Sequence, residues 1–279
     1  MRTAIAAALV LLTSPAMGET LAERGAYLVN SVMVCHNCHT PRGPQGLDLS
    51  RALSGGSQVF DVPAFKVSGS NITPDKDTGI GNWSDAELKR FLVSGVRPNG
   101  TKVAPIMPTA FYTVLTAHDL DALAAYLRAV SPVRREMPAP EYRIALKPEM
   151  PTYAGKQASE QELSDKLARG RYLLTIAHCL ECHTPEGPSA VHDFTAATGK
   201  GGRTFKGPWG ESVSPNITSD PVAGLGQWGD DEIKRAIAQG IARDGRKLKP
   251  PMAYAAYASM TPQDLDAIVA FVRTLPPKK

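Results

Sequence analysis

Two short runs of residues carry the chemistry of this chain: Cys35-His36-Asn37-Cys38-His39 and Cys179-Leu180-Glu181-Cys182-His183. Two cysteines three apart at a helix end can each bond a vinyl group of one haem, and the adjacent histidine then turns its ring to the iron as proximal ligand. Four cysteines also have other uses: a four-thiolate zinc site, a redox disulfide within each motif, or disulfides joining the halves. None of these explains a histidine directly after the second cysteine both times, and no cysteine is left over. The spacing therefore predicts two covalently attached haem c groups, one on Cys35 and Cys38 and one on Cys179 and Cys182. His39 and His183 are the expected proximal ligands.

Haem iron in electron carriers often takes a methionine opposite the histidine, which raises its potential. Met107 sits in Pro105-Ile106-Met107-Pro108 and Met252 in Pro250-Pro251-Met252-Ala253. Proline fixes the backbone there and can hold a thioether against iron. A single methionine is usually core filler, but this one recurs at the same place in both copies, whereas Met33, Met137, Met150 and Met260 have no twin. Met107 and Met252 are the expected sixth ligands. Two protein ligands leave no iron position free for substrate, which predicts electron transfer rather than catalysis. The competing class is a di-haem enzyme such as a peroxidase, which needs an open or displaceable ligand. A thiosulfate-oxidising enzyme would need a spare cysteine, and a zinc or redox-thiol module would purify colourless. His36, His118, His178 and His192 lack twins and are expected in loops or at the surface.

The elements that position these residues come in two copies. Arg24-Gly25-Ala26-Tyr27-Leu28 matches Arg169-Gly170-Arg171-Tyr172-Leu173, Asn71-Ile72-Thr73 matches Asn216-Ile217-Thr218, and Trp83 matches Trp228. Asp119-Leu120-Asp121 matches Asp264-Leu265-Asp266, and single-residue gaps beside the cysteine motif keep the alignment in register. The units span 19–130 and 159–279. Between them 131–158 carries prolines 132, 138, 140, 148 and 151, which predicts an extended, stiff connector. Residues 1–18 read as a cleaved secretory leader: Met1-Arg2, an apolar run from Ala4 to Leu12, and the small residues Ala16 and Gly18. The run is too short to span a bilayer, so a periplasmic protein is expected. Loss of Arg2 takes the formal charge from +4 to +3, and no like-charge block suggests nucleic acid.

Each unit repeats its helix signals. A first helix is expected from about Leu21 into Cys35, and from about Glu162 into Cys179. A middle helix starts at Ser84, with Glu87 completing a capping box; Gly229 and Glu232 are the twins. The last helix starts at Thr116 with Asp119 three on, and again at Thr261 with Pro262 at the first helical position. No strand pattern stands out, and 41–82 and 185–228 read as loops. Aromatic content of 6% with 24 Gly and 23 Pro implies a modest core, which a haem plate would complete. The fold class is therefore all-α. Asn71-Ile72-Thr73 and Asn216-Ile217-Thr218 match a glycosylation pattern but read as loop-shaping segments. Trp83 and Trp228 either donate to haem propionates or pack as core. Arg243, Arg246, Lys247 and Lys249, against Asp244, form either a docking rim for an acidic partner or an ordinary solvated loop.

Both units resemble the class I cytochrome c fold, so the expected architecture is two tandem domains of that fold. Asn71-Ile72-Thr73-Pro74-Asp75, Gly79-Ile80-Gly81-Asn82-Trp83-Ser84 and Leu115-Thr116-Ala117-His118-Asp119-Leu120 are more specific. They resemble the cytochrome c subunits of bacterial membrane-bound alcohol and gluconate dehydrogenases and related di-haem cytochromes. The resemblance implies Cys35, Cys38, His39 and Met107 at one haem and Cys179, Cys182, His183 and Met252 at the other. It also implies a periplasmic or membrane-bound dehydrogenase as donor and a cytochrome or terminal oxidase as acceptor, with any membrane association made through a partner. Those dehydrogenase subunits typically carry three haem motifs; this sequence carries two.

Overall fold

The computed structural model describes residues 18–145, 155–185, 194–207 and 209–279. Apart from Gly18, the expected leader lies outside these residues, as do Met150 and His192.

Each half opens and closes with a helix, and the two cross. In the first half α1 (Leu21–Tyr27) starts behind Thr20, whose hydroxyl accepts from the Glu23 N–H while the Glu23 carboxylate accepts from the Thr20 N–H. It continues as a π-helical turn, Leu28–Val32. The last helix of this half is α4 (Ala117–Ala129). In the second half α5 (Lys166–Ile176) crosses α9 (Pro262–Val272) in the same way. Glycine makes both crossings close. A Cβ on Gly25 would lie 2.0 Å from the Ala122 carbonyl oxygen, and one on Gly170 1.9 Å from that of Ala267. The expected caps are present: Thr116 and Thr261 accept from the backbone N–H of Asp119 and Asp264, and Pro262 opens α9.

The middle helices also form as expected. α3 (Asp85–Ser94) lies behind the Ser84/Glu87 box, and α7 (Asp230–Gln239) behind Gly229, whose N–H donates to Glu232. Each ends on a glycine at φ +66°, Gly95 and Gly240, the left-handed cap that glycine adopts without strain.

The first helices differ from expectation. Neither runs unbroken into its cysteine motif. The backbone turns at Val34 and His178, with φ +48° and +43°, and a left-handed residue ends a right-handed helix. The motifs occupy separate short helices, α2 (His36–His39) and α6 (Cys179–His183). The second-half helix starts at Lys166 rather than Glu162, because the Asp165 carboxylate accepts from the Ala168 N–H and caps it there.

The expectation of no strands is also corrected. β1 (Arg42–Gly43) pairs with β2 (Gly46–Leu47), β3 (Val59–Val62) with β4 (Phe65–Ser68), and β6 (Thr204–Gly207) with β7 (Gly210–Val213), all antiparallel. Strands this short leave little room for alternation to show in sequence. The described part of the connector, expected to be extended and stiff, packs on the first half. β5 (Glu141–Tyr142) adds a third strand beside β4, Asn71 Nδ2 donates to the Val133 carbonyl at 2.8 Å, and Met137 lies against Gly55. Residues 131–145 are thus strapped over the first half: Thr73, Thr78 and Asn71 bond the backbone of Val133 and Arg135, and the hairpin edge bonds residues 141–144.

The short helix α8 (Tyr254–Tyr257) follows Met252, and a 3-10 turn, Thr109–Val114, follows Met107. One apolar cluster joins Leu28, Val32, Leu115 and Leu123 of the first half to Leu173, Ile176, Leu180 and Ile268 of the second. Among the described residues, no helix is long and apolar enough to cross a membrane.

Candidate functional site

His39 and His183 are buried, 7% and 9% exposed. His39 Nδ1 lies 2.7 Å from the Ser70 carbonyl oxygen and His183 Nδ1 lies 2.8 Å from that of Pro215. A carbonyl oxygen only accepts, so Nδ1 carries the proton in both rings. That leaves the Nε2 lone pair directed outward, the form of imidazole that binds iron, with a backbone acceptor fixing the ring. Among the described residues neither Nε2 has a hydrogen-bond partner. Burial pushes both imidazoles below the usual histidine range, against the opposing effect of the carbonyl bond. Both rings are therefore neutral near pH 7.

The four cysteines are unpaired and half-buried. Burial pushes the thiols of Cys35, Cys179 and Cys182 up to about 12 and that of Cys38 up to about 11. These sulfurs are therefore uncharged near pH 7. Among the described residues, no group of three or more Cys, His, Asp or Glu side chains converges to hold a metal ion. The four-thiolate arrangement is therefore not assembled. The loop around the first motif is held by close backbone approach: a Cβ on Gly56 or Gly69 would lie 1.9 or 1.8 Å from the Cys38 carbonyl oxygen. The Gly55 N–H donates to the His39 carbonyl at 2.8 Å, and the Gly201 N–H to that of His183 at 2.7 Å.

Met107 and Met252 are partly buried and pack against the same apolar cluster as Cys35 and Cys179. The Met107 N–H donates to Ala104 and its carbonyl accepts from the Thr109 N–H, a tight local turn. Two residues that sequence reasoning missed are Tyr112 and Tyr257, buried twins just beyond these turns. Burial holds both phenols well above their usual range, reinforced by the nearby motif cysteines. Their repetition was a usable signal.

The remaining candidates resolve one by one. His36 bonds Thr40 and Asn30, both at 2.8 Å; His178 pairs with Glu181 at 3.0 Å; and His118 is exposed beside Asp119. Asn71 is 3% exposed and its amide is committed to Thr78 and Val133, while Asn216 Nδ2 donates to the Lys278 carbonyl at 2.6 Å. These asparagines tie down the chain beyond each last helix. The carbonyls of Trp83 and Trp228 accept from Arg128 and Arg273, a brace repeated in both halves. Of the basic stretch, Arg243 pairs with Glu232, Arg246 with Asp244, and Lys249 donates to the Glu211 carbonyl.

The donor set fits a covalently attached haem: paired uncharged sulfurs, an oriented imidazole and a thioether in each half. Two buried donors of the second half, Trp209 Nε1 and Arg235 Nε, have no partner among the described residues and are of the kind that haem propionates accept from.

The comparisons with known proteins agree. A cytochrome c family model matches residues 167–276. The alcohol dehydrogenase (quinone) cytochrome c subunit of Gluconacetobacter polyoxogenes is 29% identical, over 98% of this chain and 61% of its own length. The fructose dehydrogenase cytochrome subunit of Gluconobacter japonicus is 32% identical, over 92% of this chain and 53% of its own. A diheme cytochrome c-type protein of Cereibacter sphaeroides is 28% identical, over 87% and 82%. The chain thus spans 61% and 53% of the length of the two dehydrogenase subunits. With the signature of the matched segment repeated in the first half, the chain is a c-type cytochrome of the class to which the cytochrome c subunits of alcohol, fructose and gluconate dehydrogenases belong.

Proposed function

We propose that this cytochrome is a periplasmic di-haem electron carrier built from two tandem cytochrome c domains, passing single electrons from a dehydrogenase to a downstream cytochrome or oxidase. The observation that carries the reading is the pair of equivalent histidine bonds, His39 to Ser70 and His183 to Pro215, which prepares the same ligand atom in both halves. When bound, haem supplies reversible one-electron chemistry at iron. Cys35 and Cys38 would hold one macrocycle and Cys179 and Cys182 the other. His39 and His183 would present Nε2 to the irons, with Met107 and Met252 opposite. Burial of the imidazoles excludes water from the proximal side and keeps the rings neutral. The relatives named as dehydrogenase subunits support a dehydrogenase as donor, and the diheme relative supports the count of two.

The test is the mass and the visible and near-infrared spectrum of the exported protein. Two added macrocycles and two low-spin irons with the methionine charge-transfer band are expected. One macrocycle, or a high-spin fraction that turns over peroxide, would overturn the reading.

A further inference from the structure

The halves exchange a pair of tyrosines. The Tyr27 hydroxyl donates to Asp264 Oδ2 at 2.5 Å, from the first helix of one half to the head of the last helix of the other. The Tyr172 hydroxyl donates to Asp119 Oδ2 at 2.5 Å in the opposite sense. Tyr27 and Tyr172 are twins in the repeat, as are Asp119 and Asp264. Each aspartate is also held by an arginine of its own half. Arg24 grips Asp119 through two bonds, 2.7 and 2.9 Å, and Arg169 grips Asp264 at 2.5 Å. The carboxylates are 1% and 0% exposed, and each sits in the first turn of its helix, where the dipole favours an anion. The bond continues into the backbone, because the Thr261 N–H donates to the Tyr27 oxygen at 3.2 Å.

These contacts lie on the elements that carry the haem-binding residues. Tyr27 and Tyr172 occupy the helices that precede Cys35 and Cys179. The turn after Met107 packs on α5 of the other half, and α8, after Met252, packs on the Leu28–Val32 turn of the first. Phe111 meets Phe194 edge-on across the same junction, with centroids 5.8 Å apart. A two-unit chain is otherwise expected to hinge between its units. Two crossed bonds of opposite sense oppose sliding and rotation together, where one bond would act as a pivot.

We propose that Tyr27 and Tyr172 are positioning residues for electron passage between the two haem-bearing halves, each phenol fastening its own half to the buried aspartate of the other. This rests on the di-haem reading above. The tyrosines touch neither iron nor macrocycle; they act by fixing the separation and angle across which the electron passes.

The test uses the full haem-loaded chain carrying Tyr27→Phe, Tyr172→Phe or both. One haem is photoreduced with a surface-attached ruthenium complex, and redistribution of the electron to the other is followed optically. Haem count by mass comes first: a single macrocycle overturns the di-haem reading and this proposal with it. With two haems present, the double variant is expected to redistribute several-fold more slowly, with each haem's absorption spectrum and midpoint potential unchanged. Each single variant is expected to fall between it and the native chain. Asp48→Ala, which uncaps the exposed 3-10 turn Leu49–Arg51 away from the junction, is expected to keep the native rate. A native rate in the double variant, or an equal slowing in Asp48→Ala, overturns the proposal and leaves the di-haem reading standing.

Discussion

The two halves share their inner bonds and differ in their outer ones. Both fix the motif histidine by a backbone carbonyl, cross their terminal helices at a glycine, brace the tryptophan loop with an arginine and cap the last helix with a threonine. They differ where each faces outward. The first half is covered by a strand from the connector; the second is closed by its own C-terminal residues, with the Lys278 carbonyl taking the place of Val133 beside the loop asparagine. Before the cysteine motif the first half has Val34 where the second has His178, paired with Glu181. What recurs is what a haem pocket needs; what varies is left free to meet different neighbours.

The strongest way to break this comparison is to remove one pocket at a time. Cys35→Ala with Cys38→Ala, and separately Cys179→Ala with Cys182→Ala, are each expected to cost one macrocycle by mass and to leave the other haem's spectrum intact. Loss of both haems from either pair would show that the halves do not bind independently.

Next come the aspartates. Asp119→Ala strands Arg24, whose side chain is 13% exposed; breaking such a pair costs about 3–5 kcal/mol. Asp264→Ala strands Arg169, which at 40% exposed can turn to water, so its denaturant midpoint is expected to fall less. Equal losses would erase the asymmetry. The pH dependence sharpens the point. Burial alone would raise the Asp119 carboxyl, but the bond and charge of Arg24 and the bond from Tyr172 hold it below the usual carboxylate range. Its contribution is therefore complete above the unfolded-state pKa of about 3.9 and is lost as pH falls through the lower folded value. The stability gap between native chain and Asp119→Asn should close on acidification below about pH 4.

The smallest effect is expected where the halves are most alike. Gly25→Ala and Gly170→Ala each force a methyl group into a carbonyl of the crossing helix, at a cost of about 1–3 kcal/mol. Matched shifts in thermal midpoint are expected from the matched 2.0 and 1.9 Å approaches; a difference between them would show that one crossing is looser than it looks.

The helix caps were legible, and candidate ligands could be named, because their chemistry is written in side chains at fixed spacing. Ser84 with Glu87 and Thr261 with Pro262 announce helix starts, and Cys35, Cys38 and His39 announce a haem. The acceptors at Ser70 and Pro215 were not legible, since a backbone carbonyl leaves no trace in residue identity. Nor were the breaks at Val34 and His178: a β-branched residue rarely takes a left-handed conformation, and histidine, which takes it more often, does not announce it by type. The tyrosine–aspartate exchange was half visible: the repeat displayed both partners twice, but a repeat says that two residues do the same thing and not to whom they do it. The short hairpins escaped because β3 and β4 have four residues each, below the length at which alternation is distinguishable from loop.

The junction has one further consequence. Each half offers the other the same phenol and the same carboxylate, so it is built like the isologous contact of a homodimer written into a single chain. Taken alone, that exchange of phenol and carboxylate has no arrow. What distinguishes one end from the other lies around it, in the arginines behind the two aspartates, 13% and 40% exposed, in the one-sided Phe111–Phe194 contact, and in Val34 against His178.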